Sequence, residues 1–104
     1  MALVAESVDG VAGSREILGV GRLSRQRNPQ QGEVAVLVAD AAQRLGLGTE
    51  LLRRLIEIGR DEKFTSIIAH TLPDNAAMRG LAKRFGFIVK QNTDPGEITA
   101  ILSL

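Results

Sequence analysis

Gln43-Arg44-Leu45-Gly46-Leu47-Gly48-Thr49-Glu50-Leu51-Leu52, QRLGLGTELL, sets two glycines one residue apart at the entrance to a segment of helical periodicity. Beyond Leu47 the apolar positions Leu51, Leu52, Leu55, Ile56 and Ile58 share one helical face, and Arg53, Arg54, Glu57, Arg60 and Asp61 take the other. The pattern predicts a helix ending near Glu62. Its first amide N–H groups have no partner within the helix and carry partial positive charge, which suits an anion. Glycines at 46 and 48 would let that anion reach the backbone without a Cβ in the way, with Arg44 adding a full charge. Alternatively the two glycines make only a tight turn into the helix. The segment lacks the Gly-Lys-Ser/Thr ending of a P-loop, and Leu51 stands where a dinucleotide fingerprint needs a third small residue.

Working outward, Glu33 to Val38, EVAVLV, reads as a central strand covered on both faces. Thr65 to Thr71, TSIIAHT, reads as the next strand, so strand, helix and strand form a βαβ unit with a parallel pair. Met1 to Ser7 and Ile17 to Leu23 flank turn signals at Asp9-Gly10 and Gly13-Ser14, as an antiparallel pair would. Pro73-Asp74-Asn75 breaks the chain and caps a helix carrying Met78, Leu81, Ala82 and Phe85, which ends at Gly86. Phe87 to Lys90 and Glu97 to Leu102 close the chain as a hairpin around Thr93-Asp94-Pro95-Gly96.

Length and composition bound what such a chain does. The 104 residues are expected to form one domain. Aromatic residues make up 3%, with no Trp or Tyr, which argues against base stacking, and the net charge of +1 argues against a general affinity for nucleic acid or membrane. With no Cys and one His, neither a disulfide framework nor a thiolate or histidine-rich metal site is expected. MALVAESVDG lacks the basic start of a signal peptide, and no apolar run reaches spanning length, so the cytoplasm is the default compartment. Arg22, Arg25 and Arg27 are expected in a solvated loop.

The order of these elements, with Gln43, Arg44, Gly46 and Gly48 at one helix start and Asn75, Gly86 and Phe87 framing the next, resembles the GNAT acyltransferase superfamily. EVAVLV, HTLPDNAAMRGLAKRFGF and DPGEITAILSL are similar in particular to bacterial protein lysine acetyltransferases, often fused to an acyl-CoA synthetase-like region. The resemblance implies a three-layer α/β/α fold, with a mixed sheet of about six strands whose parallel pair splays apart. It implies that acetyl-CoA is the co-substrate, with no metal. The backbone of Val36, Leu37 and Val38 would pair with the pantetheine arm. The N–H groups of Arg44, Leu45, Gly46, Leu47, Gly48 and Thr49, with Gln43 completing the motif, would hold the diphosphate. Asn75 would hydrogen-bond the arm from the other side, and Met78 would sit beside it in the first turn of its helix.

An amine attacking a thioester needs a proton acceptor, and the tetrahedral oxyanion needs a donor. The resemblance makes Glu33 the first choice of base, and the N–H near Val38 the oxyanion donor. His70, five residues before Asn75 on the neighbouring strand, is the rival base. Each also has a plain reading, as a solvated strand-end carboxylate and as a packed or surface imidazole. The family often places a leaving-group Tyr seven residues after the Asn, where this chain has Ala82. Measured against the family, the chain starts at the second strand, without the first strand and two helices that cover the acceptor side. The acceptor groove is then open, incomplete, or supplied by another subunit, as a homodimer or a fused partner domain. The implied activity is acetyl transfer to an amine, foremost a protein lysine. The competing expectations are a truncated CoA-binding or regulatory module and a structural α/β interaction domain.

Overall fold

The computed structural model describes residues 2–8, 15–39, 46–71, 75–91 and 97–104, and the side chains of all of these but 4–8, 15, 16 and 91. Eight elements follow in order: β1 Ala2–Val8, β2 Arg15–Arg25, β3 Gln31–Val38, α1 Leu47–Asp61, β4 Ser66–Thr71, α2 Ala76–Arg84, β5 Ile88–Gln91 and β6 Ile98–Ser103. The sheet order is β1-β2-β3-β4-β6-β5, which puts β3 inside the sheet as expected. Only β3 and β4 are hydrogen-bonded neighbours running parallel; the other pairs are antiparallel. The mixed six-stranded α/β sheet with two helices expected from the sequence is found.

Both crossovers, β3-α1-β4 and β4-α2-β5, step the same way across the sheet, so a constant hand puts both helices on one face. One buried cluster confirms the placement: Leu52, Leu55 and Ile56 of α1 and Ala82 of α2 meet Leu23, Val34, Ile67, Ala69 and Ala100 from the strands. Gly59 explains itself by close approach, since a Cβ there would sit 2.8 Å from Ile67 Cδ1. α2 begins at Asn75, whose Oδ1 accepts the Met78 N–H at 3.1 Å, and the chain leaves it through Gly86 at φ 90°.

Two expectations need correction. β3 is not covered on both faces: Val34 is buried under the helices, whereas Ala35 and Leu37 face outward and Leu37 is 73% exposed. The apolar run fits a doubly covered strand, but among the described residues only one face has a helical layer, so sheet and helices make two layers and not the three-layer α/β/α stack expected. Arg22 and Arg25 lie in β2 rather than in a loop, and the Arg25 guanidinium stacks 4.6 Å from the Phe64 ring centroid beside Glu62. The expected turns at residues 9–14 and 93–96 fall outside the described residues.

Candidate functional site

Hydrogen bonding between β3 and β4 stops midway along both strands. Their register runs from Gln31 opposite Ser66 to Val34 opposite Ala69 and no further. β3 continues to Val38 on β2, while β4 continues to Thr71 on β6, so the parallel strands part beyond Val34 and Ala69. The backbone of β3 is directional in this gap. The Ala39 N–H donates to the Leu18 carbonyl at 2.8 Å, which turns residue 39 toward β2. Because strand backbone groups alternate sides, Leu37 also turns toward β2, and Val36 and Val38 present their N–H and C=O groups to the gap. Leu37, expected to pair through its backbone, is therefore already paired on the other side.

The wider end of the gap meets the start of α1. Gly46 is the N-cap, at φ 73°, and it provides no side-chain cap for the amides that follow. A Cβ at this position would meet nothing within 4 Å, and the left-handed backbone favours glycine. These amides open on a cleft of about 400 Å³, lined by Val36 and Val38, by Gly46, Gly48 and Thr49, and by Asn75 and Met78 across from them. Since Asn75 spends its Oδ1 on the cap, its side-chain NH₂ remains the donor it can offer the cleft.

Eight of the residues singled out from the sequence come together here, Leu37 among them. Leu47 does not line the cleft; its Cδ2 lies 3.1 Å from where a Cβ on Gly19 would stand, so only its backbone is near. Gln43, Arg44 and Leu45 lie outside the described residues. Sequence reasoning missed Ala77, Leu81 and Arg84, which complete the lining; Arg84 is its one charged side chain among the described residues. Their spacing, 77, 81 and 84, is one helical stripe and was readable once Met78 had been assigned to the cleft.

The two candidate bases lie elsewhere. Glu33 and His70 are outside the cleft lining, on the sheet face away from the helices, flanking the point where β3 and β4 separate. Glu33 is half-buried and its Oε2 accepts from Gln26 Nε2 at 2.9 Å. His70 is solvent-accessible and its Nδ1 sits 2.8 Å from Glu97 Oε1 and 3.3 Å from Thr99 Oγ1.

A splayed parallel pair beside a glycine-capped helix start is joined by a family match: the Acetyltransferase (GNAT) family profile matches residues 5–87. The chain belongs to the GNAT acetyltransferase family. This GNAT chain is 34% identical over 88 residues to an acetyltransferase of Pseudomonas aeruginosa, covering 85% of the present chain and 46% of that protein. It thus spans about half the length of the curated relative it matches. Among solved structures it is similar to a putative acetyltransferase from Salmonella typhimurium determined with its cofactor acetyl-CoA, at TM-score 0.74 and 28% identity, over 85% of this chain and 58% of that one. The GNAT domain of S. lividans PAT aligns at TM-score 0.77 and 25% identity, over 89% and 56%. A ribosomal-protein-alanine N-acetyltransferase from Brucella melitensis aligns at TM-score 0.79 and 26% identity, over 99% and 68%. No helix among the described residues is long and apolar enough to cross a membrane.

Proposed function

We propose that this chain is one domain that transfers an acetyl group from acetyl-CoA to an amine, by direct attack of the amine on the thioester. The observation that carries the reading is the gap between β3 and β4 opening onto the uncapped start of α1. Backbone donors and acceptors then line one side of the cleft for an extended amide-bearing arm, and a cluster of N–H groups stands at its end for a doubly charged linker.

In this reading the pantetheine arm runs along Val36 and Val38 as an added strand. The amides from Gly46 to Thr49 hold the diphosphate, with Gln43, Arg44 and Leu45 contributing by family resemblance. Asn75 donates its NH₂ to the arm, and Met78 packs on it. The Val38 N–H stabilises the oxyanion as the tetrahedral intermediate forms. Glu33 and its rival His70, both on the open face beside the separation of the strands, are the two candidates for the group that takes the amine's proton. A protein lysine is the first candidate acceptor, supported by the segments similar to bacterial lysine acetyltransferases; the Brucella relative makes a protein N-terminal alanine the second.

One observation favours a second reading, a CoA-binding module without turnover. There is no Tyr in the chain, and Ala82, at the position of the family's usual leaving-group acid, is buried in the core. Thiolate departure needs that acid least, since an ordinary thiol has a pKa of about 8.5. The two readings separate in one assay. The chain is incubated with acetyl-CoA and a panel of lysine peptides, an N-terminal alanine peptide, small amines and an acyl-CoA synthetase, and both free thiol and acceptor mass are followed. Transfer to an amine is expected; saturable acetyl-CoA binding with no acetylated product from any acceptor would establish the module instead.

A further inference from the structure

His70 is the one histidine of the chain, and its ring is not free to choose its proton. A carboxylate only accepts hydrogen bonds, so the 2.8 Å contact between Glu97 Oε1 and Nδ1 requires Nδ1 to carry the hydrogen. The Thr99 hydroxyl oxygen, 3.3 Å away, is a weaker second acceptor for the same N–H. The neutral ring then holds its lone pair on Nε2. Neighbouring elements reinforce the arrangement. Thr99 pairs with His70 across β4 and β6 and with Lys90 across β6 and β5, which puts the three on one row of the open face. Glu33 shares that face from β3, in register with Ile68, two residues before His70. His70, Glu97, Thr99, Lys90 and Glu33 thus share this part of the face, with Arg22 and Ser24 of β2 opposite Ala35 and Glu33 and the Gln26 amide on Glu33.

We propose that Glu97 is a positioning residue that locks His70 in the Nδ1–H form and so makes Nε2 the proton acceptor of the transfer reaction. The inference rests on the acetyltransferase reading, and it assigns Glu97 a part that family resemblance did not. The amine nitrogen bonds to the thioester carbon, and its surplus proton passes to Nε2. The tetrahedral oxyanion collapses with cleavage of the carbon–sulfur bond, and the departing thiolate recovers that proton from the imidazolium, leaving amide, thiol and neutral His70. Throughout, the Nδ1 proton stays where it is, and Glu97 stabilises the imidazolium while it exists.

The single histidine makes the test unambiguous. Nitrogen-15 NMR of the imidazole at pH 9, with and without acetyl-CoA, reports the tautomer directly. Wild type is expected in the Nδ1–H form and Glu97→Leu, which has no acceptor, in the Nε2–H form that neutral imidazole favours in water, with Glu97→Gln, whose amide oxygen still accepts, keeping the wild-type form. In the transfer assay, Glu97→Leu lowers kcat by about tenfold or more within the range a general base contributes. KM for acetyl-CoA is unchanged, and His70→Gln with Glu97→Leu is no worse than His70→Gln alone. An Nε2–H ring in folded wild type, or full kcat in Glu97→Leu, overturns the proposal. If wild type transfers no acetyl group at all, the enzyme reading beneath it falls, and the tautomer still decides whether Glu97 orients His70.

Discussion

Gly46 combines two demands that no other residue meets: a left-handed backbone at φ 73° and an approach to the amides of α1 left open. The two separate by substitution. Gly46→Ala costs about 1–2 kcal/mol of stability from backbone strain alone. Gly46→Glu adds a like charge facing the diphosphate and lowers acetyl-CoA affinity by at least about tenfold, or about 1.4 kcal/mol. Asn75 carries a similar double duty. Asn75→Ala removes the cap, costing about 0.5–2 kcal/mol, and removes the NH₂ donor as well. Asn75→Asp keeps a capping oxygen and loses only the donor, so its thermal midpoint stays near wild type while its coenzyme affinity falls. An Asn75→Asp chain that binds acetyl-CoA as wild type does would remove Asn75 from the site. Glu50 answers to pH. Hydrogen bonds from Arg53, then Arg54, pull its carboxyl from 4.5 down to about 2. A carboxylate lowered on folding stabilises above its unfolded value and stops doing so as pH falls through its folded value. The stability difference between wild type and Glu50→Gln in urea titrations is therefore expected to be full at pH 6 and to shrink between pH 4.5 and 2. An equal difference at pH 6 and pH 2 would contradict the pairing.

The helix α1 is where the cleft and the core meet, because one end presents amides and its flank buries Leu52 and Leu55, both at 0% exposure. Leu55→Ala empties the centre of that flank and costs about 2–5 kcal/mol, read as a lower urea midpoint. Residual secondary structure with a mobile core would also weaken acetyl-CoA binding, although Leu55 does not line the cleft. α1 was legible in QRLGLGTELL and the run after it, since periodicity and charge marked the same two faces. α2 was legible by its cap and its terminating glycine. The part of α2 that lines the cleft was only half readable: Asn75 and Met78 announced themselves, whereas Ala77, Leu81 and Arg84 carry no chemistry until the fold turns them toward α1. Leu47 shows the converse, a motif residue whose side chain belongs to the packing against Gly19.

At the level of the whole molecule, the sheet has one face closed by helices and one face open, and the proposed reaction uses both. In the proposed complex the coenzyme arm would lie in the gap between β3 and β4, with the candidate proton acceptors on the open face beside it. The two terminal hairpins, the inner place of β3 and the parallel pair were readable from apolar runs, turn signals and crossover length, whereas the insertion of β6 between β4 and β5 was not. What periodicity does not encode is whether a second layer covers a strand, which is why Leu37 reads as buried and is exposed. The place where β3 and β4 part was not legible from composition either, because hydrogen-bond register ends without any change in residue type between Val34 and Val36. That parting is the central claim, and amide chemical shifts follow it directly. In a proton–nitrogen correlation titration of the folded chain with acetyl-CoA, the amides of Val36, Val38, Gly46, Gly48 and Thr49 are expected to shift together and saturate, with the Leu37 amide, bonded to β2, moving least. Saturation with those five amides unmoved, or no shifts at all, would contradict the site.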